Sequence, residues 1–127
     1  MTKNFKVKEF ECNDGSKMPL EVYENIIKLA NQLQFLREYT GRPITINSAY
    51  RSPEHNAKVG GSKKSQHLLG KAADITIQSL KPAEVYRIIE DLIDLGHMLQ
   101  GGLGLYDTFV HYDIRKTKAR WNYTKNK

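Results

Sequence analysis

The chain has 127 residues, 39% of them hydrophobic and 27% charged, which suits one folded domain with a real core and argues against a disordered chain. No run approaches the roughly 18 apolar residues of a membrane-spanning helix, and the single cysteine, Cys12, excludes an internal disulfide and a Cys-rich zinc site. A formal net charge of +6 favours polyanionic partners, either nucleic acid or the anionic polymers of a bacterial wall, and is equally compatible with a merely solubilising surface.

The N-terminus, Met1-Thr2-Lys3-Asn4-Phe5-Lys6, is polar and has no apolar signal core, so synthesis in the cytoplasm without signal-dependent secretion is expected. Beyond the polar turn Asn13-Asp14-Gly15-Ser16, the residues Tyr23, Ile26, Ile27, Ala30, Leu33 and Leu36 recur at helical spacing. They predict a helix from about Pro19 to Tyr39, ended by Gly41-Arg42-Pro43. Ile44 to Asn47 reads as a short strand. The polar, glycine-containing stretch from Ser48 to Gly70 follows, with a brief helix capped by Ser52-Pro53 and running through Val59. Long irregular segments of this kind tend to carry function. Ala72 to Ile77 reads as a second strand, and Pro82 to Leu95 as a helix burying Val85, Ile88, Ile89, Leu92 and Ile93, with Gly96 as its stop. Gly102 to Ile114 reads as a β-hairpin turning at Asp107-Thr108, and the basic tail Arg115 to Arg120, with Trp121 and Tyr123, is expected to tuck against the body. With no repeat or linker, the prediction is one domain over residues 1–127. Its fold class is α+β, a small, mainly antiparallel sheet packed with two main helices.

The hairpin carries the first chemical clue. A turn at Asp107-Thr108 sets Gly104 opposite His111 and Gly102 opposite Asp113. Alternation then sends Val110, Tyr112 and Ile114 to the core face, with Leu103 and Leu105, and leaves His111, Asp113 and Arg115 on the other. Those groups face glycines, which are expected to leave open space above the sheet. Upstream, Ser65-Gln66-His67-Leu68-Leu69-Gly70-Lys71-Ala72-Ala73-Asp74 fits S-x-H-x-x-G-x-A-x-D. His67 sits in the loop before a strand on which Ala72 and Asp74 share a face. Two imidazoles and a carboxylate (His67, His111 and Asp74) form a known catalytic zinc set with a fourth position for water.

These segments resemble the zinc D-alanyl-D-alanine carboxypeptidases and related L-Ala-D-Glu endopeptidases, including phage endolysins, whose metal-site architecture the hedgehog signalling domain shares. The resemblance runs from Asn4 to Arg115 and rests on four stretches in order. They are Phe5 with Glu9-Phe10-Glu11-Cys12-Asn13-Asp14-Gly15, then Ser48-Ala49-Tyr50-Arg51-Ser52-Pro53-Glu54-His55-Asn56, the metal motif, and Gly101 to Tyr106 with Phe109-Val110-His111-Tyr112-Asp113. It implies one Zn²⁺ per chain on His67, Asp74 and His111, with Arg51 as a catalytic or substrate-binding residue. Ser65 would position the loop or the substrate. Several relatives place an acid three positions before the last histidine, where this chain has Thr108. The resemblance therefore points to Asp113, of the His111-Tyr112-Asp113 triplet, as general base or as a group orienting His111, with Asp107 as runner-up. Read this way, the protein is a peptidase of peptidoglycan peptide stems, either carboxypeptidase or endolysin-type endopeptidase. It would be monomeric, without nucleic-acid partners or membrane insertion, and would act at the bacterial wall, as an endolysin released by a separate lysis protein does.

Two other classes are open at this point. A catalytically silent, metal-stabilised binding module is favoured by the missing acid at Thr108, and a nucleic-acid binder is suggested only by charge and the tail. Remaining groups are given ordinary roles: His97 after a helix end, His55 solvated or at the edge of the cleft, and Cys12 as a small buried side chain.

Overall fold

The computed structural model describes residues 1–125; Asn126 and Lys127, the end of the expected domain, lie outside them. A short 3-10 turn (Val7–Phe10) leads to helix α1 (Leu20–Thr40), strand β1 (Ile44–Ser48) and the two-turn helix α2 (Pro53–Lys58). A second 3-10 turn (Gln66–Leu69) precedes β2 (Ala72–Ile77), α3 (Pro82–Asp94), β3 (Gly102–Leu105), β4 (Val110–Asp113) and β5 (Ala119–Asn122). The strands form one five-stranded sheet in the order β1-β2-β4-β3-β5. All neighbours are antiparallel except β3 and β5, which run parallel. The α+β reading with a mainly antiparallel sheet is therefore correct.

The helices end where backbone chemistry requires. Gly41, in the left-handed region at φ 66°, closes α1, and its N–H donates to the Arg37 carbonyl. Ser52 caps α2 by accepting from the His55 N–H, with Pro53 in the first turn. The stripe of α1 departs from expectation. Val22, Ile26, Leu29, Ala30, Leu33 and Leu36 are buried, whereas Ile27 is exposed and Tyr23 half-buried. Both sets repeat at helical spacing, but the inward face is centred on the line of Leu29 and Leu33, which turns Tyr23 and Ile27 to its edge. Helix α3 lies against β2, β3 and β4, burying Val85, Ile89, Leu92 and Ile93, with Ile88 packed at the margin.

One apolar cluster joins Phe5 and Phe10 of the N-terminal segment to α1, α3 and the inner face of the sheet, where Ala73, Ile75, Leu103, Val110 and Tyr112 sit. Burying a side chain of that size contributes about 1.5–3 kcal/mol. The hairpin register is as expected, with Gly104 opposite His111 and Leu103 opposite Tyr112. The tail does tuck against the body, but as a strand: β5 places Arg120 beside Leu103 and Trp121 beside Gly104. Among the described residues, no helix is long and apolar enough to cross a membrane.

Candidate metal centre

The polar face of the sheet is organised along one row that crosses every strand. Ser48 pairs with Asp74, Asp74 with His111, His111 with Gly104, and Gly104 with Trp121. An irregularity of β1 between Ile46 and Ser48 brings Ser48 into this row. His67 reaches it from the 3-10 turn before β2. There Ser65 Oγ accepts from the His67 N–H at 3.1 Å, and Gly70, at φ 72°, turns the chain into the strand. Ser65 thus shapes the loop and also lines the cleft.

His67, Asp74 and His111 are all buried, and their donor atoms lie within 4.8 Å of one another. Asp74 Oδ1 is 3.2 Å from His67 Nε2 and 3.0 Å from His111 Nδ1. The far sides of both rings are also engaged. His67 Nδ1 is 2.7 Å from the Ala49 carbonyl, which can only accept, so Nδ1 carries the proton and Nε2 is free to ligate. His111 Nε2 is 2.7 Å from Asp113 Oδ2, an arrangement that leaves Nδ1 to ligate. Outer partners of this kind fix the tautomer and orientation of metal-binding imidazoles. The donor set fits a tetrahedral divalent ion of the zinc type.

The electrostatics follow from these contacts. Burial by itself would raise the Asp74 carboxyl, but its close contacts with the His111 and His67 imidazoles outweigh it and hold the group well below the usual carboxylate range. Burial would likewise lower the His111 imidazole, yet bonding to Asp113 and Asp74 raises it above its ordinary value. Arg51 is braced at each nitrogen. Nε donates to Ser48 Oγ at 3.2 Å, Nη1 to Asn56 Oδ1 at 3.3 Å and Nη2 to Asp74 Oδ2 at 3.4 Å. The Arg51 side chain is 16% exposed and lines a cleft of about 730 Å³ together with His67, Asp74, His111, Tyr106, Arg115 and Trp121.

Asp113 is placed differently from a water-activating base. It is fully buried, lies behind His111, and is not among the residues lining the cleft. Its Oδ1 accepts from Gly102 N, Arg115 N and Arg115 Nε, and its Oδ2 accepts from Arg115 Nη2 and His111 Nε2. Burial would raise this carboxyl, but the bonds to His111 and Arg115 hold it well below the usual range. The base role expected for Asp113 does not fit this geometry; the orienting role does. Asp107 is exposed at the hairpin turn and accepts from Lys125 N at 3.2 Å, and Thr108 is exposed beside it. Neither lines the cleft.

The expected open floor above the glycines is also corrected. A side chain on Gly102 would collide with the Asp113 carboxylate, and one on Gly104 with the Trp121 indole. The glycines make room for these two groups and not for solvent. Trp121, whose Nε1 donates to Tyr106 Oη at 3.0 Å, forms a wall of the cleft that went unassigned in the sequence. Its place at the end of a basic run was the available signal. His97 is exposed and stacks on Phe35, and His55 lies outside the cleft lining.

Comparison with known proteins agrees with this geometry. The chain is 44% identical over 45 residues to the zinc D-Ala-D-Ala carboxypeptidase of Streptomyces albus G. That match covers 35% of this chain and 18% of the relative, so it spans under a fifth of that protein's length. The family described as Peptidase M15 matches residues 3–113, nearly the whole of the described chain. The chain belongs to the Peptidase M15 family.

Proposed function

We propose that this protein is a zinc-dependent peptidase acting on the peptide stems of bacterial peptidoglycan, with His67, Asp74 and His111 as the metal ligands. The observation that carries this reading is the convergence of three buried donors whose imidazole tautomers are set from behind by the Ala49 carbonyl and the Asp113 carboxylate. When bound at such a site, zinc supplies Lewis acidity toward a scissile carbonyl and lowers the pKa of water to roughly 7. Arg51, anchored by Ser48 and Asn56, presents its guanidinium to the same cleft and is suited to a substrate carboxylate or to negative charge developing on the carbonyl oxygen. Ser65 holds the His67 loop, and the Tyr106 hydroxyl, accepting from Trp121, keeps its own proton available to substrate. Asp113 acts through His111 as a positioning residue.

The cationic groups Arg51, Lys64 and Arg115 on the cleft favour a peptide bearing free carboxylates, as peptidoglycan stems do. The place of action is accordingly the cell wall. The test is incubation of the zinc-loaded protein with defined muropeptides and mass analysis of the products. Loss of a terminal D-alanine identifies a carboxypeptidase, and cleavage within the stem identifies an endopeptidase. Intact muropeptides at every zinc level would instead support the second reading, a metal-stabilised wall-binding module. That reading draws on one observation: Asp74, itself a ligand candidate, is the carboxylate that lines the cleft.

A further inference from the structure

A second group of metal-binding side chains lies on the other side of the Arg51 segment and takes no part in the site above. Cys12, Asp14 and His55 offer a sulfur, a carboxylate oxygen and an imidazole nitrogen, all within 4.8 Å of one another. They come from separate parts of the chain, Cys12 and Asp14 from the loop before α1 and His55 from the first turn of α2. Ser52 holds the two parts in place. Its N–H donates to Cys12 Sγ at 3.3 Å, and its hydroxyl donates to Asp14 Oδ2 at 2.9 Å. Asp14 and His55 line a cavity of about 420 Å³ with Glu54 at its margin. Cys12 is buried, whereas the half-buried His55 ring has no hydrogen-bond partner among the described residues.

We propose that Cys12, Asp14 and His55 form a second metal site, for a borderline or soft divalent ion of the zinc and cobalt class. The donor chemistry selects the ion. A thiolate with an imidazole suits such metals and disfavours Mg²⁺ or Ca²⁺, which take all-oxygen shells. The Ser52 N–H directs a hydrogen-bond donor at the sulfur, and metal binding releases the thiol proton to solvent. Ligands of a tetrahedral ion at about 2.0–2.3 Å sit about 3.5 Å apart, so the group must contract on binding. The partner-free His55 ring is the member able to move. Asp14 Oδ2 can ligate through its second lone pair while still accepting from Ser52, and the cavity leaves a fourth position for water or Glu54. An ion there would tie the N-terminal loop to the start of α2, directly beside Arg51.

Cys12 is the sole cysteine, so sulfur ligation has an unambiguous signature. Metal-free full-length protein is titrated with Co²⁺ and followed in the near ultraviolet for the thiolate-to-cobalt charge-transfer band. The wild type should develop the band and take up two cobalt ions per chain. Cys12→Ser should abolish it. His55→Ala and Asp14→Asn, at positions less critical to folding, should weaken cobalt binding at this site by at least about tenfold, the lower bound even for losing an outer partner. His67→Ala, which disables the other site, should leave the band intact. The proposal is overturned if the wild type shows no band at millimolar Co²⁺, if the band is undiminished in both His55→Ala and Asp14→Asn, or if it disappears with His67→Ala. None of these readouts depends on peptidase activity.

Discussion

Replacing Asp113 by Asn separates orientation from base catalysis, because the two roles predict opposite behaviour of the metal. The carboxylate accepts from both its neighbours and donates to none: Gly102 N and the Arg115 groups on one side, His111 Nε2 at 2.7 Å on the other. An Asn side chain can keep one acceptor oxygen, which Gly102 and Arg115 together compete for. Its amide NH₂ then meets the His111 Nε2–H as donor against donor. Relief comes from moving the imidazole proton to Nδ1, the atom that faces Asp74, and this blocks ligation. Loss of an outer-shell partner costs about ten- to a hundredfold in metal affinity, or about 1.4–2.7 kcal/mol at 1.36 kcal/mol per tenfold. The folded protein should lose about 1–3 kcal/mol as well, from weakened buried hydrogen bonds, with Arg115 still able to reach water. Zinc affinity is measured by competition with a chromophoric chelator, stability by denaturant unfolding, and turnover at saturating zinc. An Asp113→Asn protein that binds zinc as tightly as wild type yet turns over a hundredfold more slowly would refute the orienting role and return Asp113 to the base.

Further expectations follow from the same geometry. His67→Ala or Asp74→Ala should abolish zinc binding at the sheet site, measured by chelator competition under conditions where the wild type is saturated there. Arg51→Lys keeps the charge but cannot serve Ser48, Asn56 and Asp74 at once, so turnover should fall by about 10²–10³-fold with zinc content at the sheet site unchanged; wild-type turnover would leave Arg51 as a brace only. Gly102→Ala drives a methyl group into the Asp113 carboxylate and should lower both stability and zinc affinity at the sheet site, whereas Gly41→Ala, strained at φ 66° at the end of α1, should lower stability and leave that zinc affinity unchanged. The raised His111 imidazole makes a pH prediction for the metal-free protein. Its contribution to stability is fully present below the ordinary value of 6.5 and is lost as pH rises through the higher folded value. Metal-free protein should therefore unfold at a higher temperature near about pH 5.5 than near about pH 8, while zinc stabilisation should run the other way because ligation needs neutral imidazole. A metal-free protein whose unfolding temperature rises across that interval would contradict the assigned contacts of His111.

The sequence made the hairpin register readable because Asp107-Thr108 fixes the turn and strict alternation does the rest, so Gly104 could be set against His111 in advance. The convergence of His67, Asp74 and His111 was readable for the same reason: each sits at or beside a strand whose facing is set by its apolar neighbours. What alternation cannot specify is the identity of the group filling a space. It put Asp113 and Gly102 together without showing that the carboxylate turns inward, toward His111 and the backbone, and away from the cleft. Strand β5 was hidden because Ala119 to Asn122 are half-exposed and partly charged, and they join the sheet through a parallel pairing with no local turn to announce it. The α1 stripe was right at Ile26, Ala30, Leu33 and Leu36 and missed only at its edge, because Tyr23 next to Val22 and Ile27 next to Ile26 are both large side chains that could face inward. Only the packing partner decides which faces inward.

Trp121 is the one tryptophan of the chain, and its ring centroid lies 5.1 Å from that of His111. Protonated imidazole at such a distance quenches indole emission, and displacement of its proton by a metal relieves that quenching. The protein therefore carries an intrinsic optical reporter for His111 in the sheet site. Emission should brighten as His111 deprotonates and change again on metal loading, without any label. Occupancy of the group at Cys12, which lies in another part of the fold, can then be followed by absorbance in the same cuvette, so the two sites can be filled and read separately.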